Sequence, residues 1–140
     1  MRKSIYYIVM AAFVVGISSC AQIPDEKVSS AFDKMSVVTE ETAAKLNKAK
    51  TDKEAAEILI AHAHNIKEPM VVIRTMRLKF KNDLDENKAF KDGKLRAEAS
   101  SKKLYDAMGI ITKKYQNSDE ILAAYGKMES IIKEGQSEIK

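Results

Sequence analysis

Thr51-Asp52-Lys53-Glu54, running on into Ala55-Ala56-Glu57-Ile58-Leu59-Ile60-Ala61-His62-Ala63, decides the fold class. Thr51 is placed to cap a helix, and Glu54 stands three residues later, where a capping box needs its acid. Behind this start, Ala56, Leu59, Ala63, Ile66 and Met70 recur on one side of a helix of 100° per residue. Past Pro69 the stripe moves to Val72, Ile73, Met76 and Phe80. Proline removes a backbone donor and crowds the preceding turn, so the phase shift predicts a kink at Pro69, or a break, in a helix reaching Asn82.

Working outward, a first helix is predicted from about Lys27 to Lys48. Val28, Ala31, Phe32, Met35, Val38, Thr42, Leu46 and Ala49 form its apolar stripe. Residues 82–93 (NDLDENKAFKDG) are polar and turn-rich, and predict a connecting loop pinned by Leu84 and Phe90. A third helix follows from about Lys94 to Tyr115, with Leu95, Ala99, Leu104, Met108 and Ile111 as its buried face. Ser118 then caps a fourth, bearing Ile121, Leu122, Tyr125, Met128, Ile131 and Ile132. No strand pattern is visible. Scarce Gly and Pro with abundant Ala, Lys, Glu and Ile agree with an all-α domain. Short links between amphipathic helices favour an antiparallel four-helix bundle over residues 27–140, with a three-helix bundle plus hairpin as the alternative.

The chain's start has a different composition. Arg2 and Lys3 precede an uncharged run from Ile5 to Ile17, which closes on Ser18-Ser19-Cys20. As a helix that run rises ~20 Å, short of the ~30 Å hydrocarbon core of a bilayer. Ile17-Ser18-Ser19-Cys20 resembles the lipobox of bacterial lipoproteins. The resemblance implies that residues 1–19 are a signal peptide, that Cys20 carries lipid (diacylglycerol with fatty acyl groups such as palmitate), and that residues 20–26 are a lipidated tether. Two or more acyl chains, at ~0.8 kcal/mol per buried methylene, anchor a protein stably where one does not. Cys20 is the only cysteine, so no disulfide forms within the chain. Ala21 follows it rather than aspartate, which by the sorting rule of enteric lipoproteins implies the outer rather than the inner membrane.

Beyond the lipobox, the whole chain resembles the small, helical, Lys- and Met-rich lipoproteins of spirochaetes and other diderm bacteria. Residues 51–70 carry that likeness through the capped start, the Ala/Ile spacing, His62 and Pro69. No shared activity comes with it.

Chemistry is sparse. The charge is +4, falling to +2 once Arg2 and Lys3 leave with a leader, too weak to argue for nucleic acid. His62 and His64 point about 160° apart on a helix and cannot easily share a metal. His62 reads as a helix-edge histidine, and no metal or cofactor site is expected. Met35, Met70, Met76, Met108 and Met128 are spaced as core fillers. Covalent haem attachment needs a Cys-x-x-Cys-His motif, which is absent. Four-helix cytochromes take a histidine from the last helix, which here has none. No nucleophile elbow, phosphate loop or paired Glu-x-x-His occurs, so no enzyme is expected.

Two surface features remain as candidates for binding another envelope protein. Lys67, Arg74, Arg77 and Lys81 lie within about 80° of one another on the second helix, a basic ridge for anionic headgroups or an acidic partner, or else a solvated face paired with nearby acids. Ile60, Val71 and Leu78 form a second apolar line on the same helix, either buried under a neighbour or exposed as a docking strip. The composite expectation is a lipid-anchored envelope protein, non-enzymatic, acting as an interaction or structural module. The alternative is a bundle that holds haem, a metal or an apolar molecule between its helices.

Overall fold

The computed structural model describes residues 22–137 and residue 139. Cys20 and the leader expected at residues 1–19 lie outside them. Among the described residues four helices follow one another: α1 (Asp25–Leu46), α2 (Asp52–Glu86), α3 (Lys88–Lys114) and α4 (Asp119–Ser137). No strand occurs among the described residues, and the fold is an all-α helical bundle.

Consecutive helices run antiparallel. Lys34 pairs with Glu68, and Thr42 meets His62, so residue numbers rise on α1 as they fall on α2. Helices of the same place in each hairpin run parallel. Asp33 pairs with Arg96 at 2.8 Å and Glu40 with Lys103 at 2.7 Å, so α1 and α3 advance together. Ser118 bonds Asp52 at one end of the α2–α4 pair, and Glu134 reaches Lys67 further along. The closest packing is within these parallel pairs and between α1 and α2, whereas α3 and α4 scarcely approach one another.

Spacing and size explain that arrangement. The inward positions of α1 are Val28, Phe32, Met35, Thr39, Thr42, Leu46 and, just past its end, Ala49. Those of α3 are Phe90, Gly93, Ala97, Ser100, Leu104, Ala107 and Ile111. Both alternate steps of three and four, the 3.5-residue period of coiled-coil seams. Small residues let the backbones close. At Gly93 an added Cβ would stand 2.8 Å from the Phe32 Cβ and overlap its ring. Gly135 plays the same part between α4 and α2, where an added Cβ would lie 2.9 Å from Lys67 Cγ.

Three sequence expectations need correcting. Residues 82–93 are not a loop. Residues 82–86 are helical, Asn87 alone links the two helices, and α3 begins at Lys88. Leu84 and Phe90 are buried as expected, and they sit in helices because Asn87 serves both. Its backbone ends α2 by donating to the Leu84 carbonyl. Its side chain accepts the Phe90 amide at 2.9 Å and donates to Asp25 at 2.7 Å.

The kink expected at Pro69 is also displaced. Pro69 is buried within α2, and the non-helical backbone is at Lys81, with φ 45° and ψ −121°. The phase shift marks a change of neighbour instead. Up to Val71, α2 lies under α4, while Met76, Phe80 and Leu84 pack with Val28, Phe32 and Phe90 of α1 and α3.

On α3, finally, the predicted face is rotated. Leu95 is 65 % exposed and Ala99 is exposed, because the seam uses the small residues Gly93, Ala97 and Ser100.

Two cores result. Near the turns, Leu46, Leu59, Ile111, Ile121, Ile131 and seven alanines from the four helices and the α1–α2 link form one. Towards Asn87 a smaller cluster of Val28, Phe32, Met76, Phe80, Leu84, Phe90 and Ala97 is built by three helices only. Thr51 caps α2 as expected, accepting the Glu54 amide at 3.1 Å, while Glu54 takes the Lys50 amide rather than that of Thr51. All these contacts are made within residues 22–137, so a chain beginning at Ala21 keeps every one of them.

Candidate functional site

The separation of α3 from α4 leaves a groove. Its walls are Ser101, Leu104, Tyr105 and Met108 of α3 and Met128 and Ile132 of α4. The floor is Met35 and Thr39 of α1 with His62 and Ile66 of α2, and the volume is about 250 Å³. Near the turn the walls are tied by Tyr125 and Thr112, whose hydroxyls lie 2.9 Å apart. Thr112 spends its own proton on the Met108 carbonyl, so Tyr125 is the donor.

His62 is the most informative residue here. It occupies a core position of α2 between Leu59 and Ile66 and is 4 % exposed. Its Nδ1 lies 3.1 Å from Thr42 Oγ1. Thr42 donates its single proton to the Val38 carbonyl at 2.7 Å, so its oxygen accepts from His62 Nδ1–H. The neutral ring then carries its proton on Nδ1 and leaves a lone pair on Nε2. Burial pushes its pKa below the ordinary 6.5, which favours that neutral form. No hydrogen bond reaches Nε2, and among the described residues the one sealed, partnerless side-chain polar atom is Ser36 Oγ. Nε2 is therefore open to solvent or to a ligand.

Two clefts flank the ring. The outer one, about 500 Å³, lies along α1 and α2 and is lined by Thr42, Lys45, Lys48, Glu54, Glu57 and Asn65. Thr42, the Nδ1 partner, lines that outer cleft and not the groove. His62 itself lines both. Thr39 and Ser100, also buried, satisfy themselves on the Met35 and Ala97 carbonyls.

The residues singled out from sequence do not converge. Ile60 is half-buried against the main core, and Val71 is half-buried beside Gly135 of α4. Leu78, at 56 %, is the exposed member of the three. Lys67 reaches Glu134 at 4.0 Å. Arg77 pairs with Asp85 across the Lys81 break and lies 4.8 Å over the Phe90 ring. Arg74 and Lys81 are exposed. The basic ridge is thus partly absorbed by the protein's own acids, and Cys20 lies outside the described residues. His64 is exposed, and no cluster of three potential metal ligands occurs among the described residues.

Sequence reasoning put His62 at a helix edge and missed its burial. The signal was present in the 3.5-residue register of Ala55, Leu59, His62 and Ile66, with Thr42 already in the stripe of α1. Comparison with protein-family models, with curated proteins and with solved structures finds no match to this chain.

Proposed function

We propose that this chain is a non-enzymatic module of the bacterial cell envelope, held to the outer membrane by lipid on Cys20, and that it works by binding. The observation that carries the binding reading is the apolar groove between α3 and α4, floored by a buried histidine with an open nitrogen. The anchor rests on the leader and on Ile17-Ser18-Ser19-Cys20. Of the two modes open to such a module, the groove favours an apolar molecule held between helices. A helix face docked on another envelope protein has less support, since Ile60 and Val71 are half-covered and Leu78 stands apart.

Two measurements test the two halves. Radiolabelled palmitate should enter the full-length protein in a bacterial host and fail to enter Cys20→Ala, which should also keep its leader. A wild-type chain that takes up no label overturns the anchor. The chain from Ala21 onward should enhance the fluorescence of an apolar naphthylamine probe, and Met108→Trp, filling the groove from a half-buried position, should remove that enhancement.

A further inference from the structure

We infer that the α3–α4 groove selects neutral apolar molecules bearing one hydroxyl, with His62 Nε2 accepting the hydroxyl proton. This rests on the reading of the groove as a binding site and adds the chemical class of its ligand. The walls supply the apolar part through Leu104, Met108, Met128 and Ile132, and methionine adapts its shape to an irregular chain. About 250 Å³ is room for roughly eight groups of water size at ~30 Å³ each, the length of a medium alkyl chain.

The polar end is decided by tautomer. With Nδ1–H committed to Thr42, the nitrogen that His62 has left for a ligand is an acceptor and not a donor. An alcohol satisfies that acceptor. A carboxylate has no proton to give Nε2 and would set its negative charge beside a lone pair, with no Lys or Arg among the described residues that line the groove. An ether fills the same space and leaves Nε2 unsatisfied once water is expelled. Metal ions are disfavoured on the same ground, since among the described residues no further His, Cys, Asp or Glu lines the groove to complete a coordination shell.

The test uses three probes of near-equal size on the chain from Ala21 onward: 1-octanol, its isomer heptyl methyl ether, and octanoate. Displacement of the naphthylamine probe should rank octanol first, with the ether about fivefold to tenfold weaker and octanoate weaker still. His62→Leu should bind the alcohol and the ether equally. Because that variant also loses the Thr42 bond, a second readout uses the unaltered chain: octanol should shift the His62 Nε2 nitrogen resonance in the direction of an accepted hydrogen bond, and the ether should leave it in place. Equal affinity of alcohol and ether in the wild type, or an unmoved Nε2 resonance at saturating octanol, overturns the hydroxyl assignment alone. Failure of all three probes and of the naphthylamine dye to bind overturns the groove as a site as well.

Discussion

The two hairpins of this bundle have the same connectivity and opposite character. In the first, α1 and α2 pack directly along their length, joined by the Lys34–Glu68 pair, the Thr42–His62 bond and a core containing Leu46 and Leu59. In the second, α3 and α4 are tied near their turn by Tyr125 and Thr112 and otherwise stand apart, each leaning on the parallel partner in the first hairpin. The difference follows from where the small residues lie. Gly93, Ala97 and Ser100 on α3 face α1, and Ala124 and Gly135 on α4 are buried in the bundle with Gly135 against α2. Close approach is spent on the parallel pairs, and nothing comparable draws α3 to α4. A bundle can thus keep a shared core and still present a groove, provided each helix of the open hairpin leans on a partner in the closed one.

That division of labour predicts graded effects. Truncation in the closed hairpin should hurt most: Leu59→Ala, at a fully buried position, should cost about 2–5 kcal/mol in urea denaturation. Leu122 of α4, which the sequence stripe placed inside, is 64 % exposed, and Leu122→Ala should stay within about 0.5 kcal/mol. Comparable losses at both sites would break the contrast. Gly93→Ala sharpens it by attacking the seam that pulls α3 away from α4, because its methyl would meet the Phe32 ring. A loss of about 1–3 kcal/mol is expected. Thr51→Ala removes the acceptor for the Glu54 amide at the start of α2 and should cost about 0.5–2 kcal/mol.

The smallest effect is one of pH. His62 takes a proton less readily folded than unfolded, so the unfolded chain binds protons first as pH falls below 6.5. Stability attributable to His62 is present above that value and is lost as pH falls towards the lower folded pKa. The denaturation midpoint should decline between about pH 7.5 and 5.5, and less so in His62→Leu. Asp92 and Glu129 are also held below the usual carboxylate range by hydrogen bonds from Lys88 and Lys133, but solvent screens these exposed pairs and they add little to the pH dependence of stability.

The helices themselves were legible because their signals are local. The Thr51 cap, the stripe of α1 and the Ser118 start of α4 need nothing from the rest of the chain. Partner choice is not local. The stripe of α2 changes phase at Pro69 because its neighbours change from α4 to α1 and α3, and sequence alone could not separate that from a kink. Residues 82–93 carry turn-like composition, yet Asn87 links the helices alone once Leu84 and Phe90 have a shared core to enter. Leu95 read as core because it is large and apolar, while the seam wanted Gly93 and Ala97 for their size. For the site, polarity misled: His62 and Thr42 satisfy each other across two helices, and a pattern search that reads histidine as surface or ligand passes over that third role.

The central claim is that the open hairpin, and not a helix face, is where this protein binds. A chemical-shift map of the chain from Ala21 onward, titrated with 1-octanol, tests it most directly. The account predicts changes gathered at His62, Ser101, Met108, Met128 and Ile132, with Val28, Phe80 and Leu84 of the three-helix end unmoved. Changes centred on Leu78 and Arg74, with the groove residues silent, would contradict it.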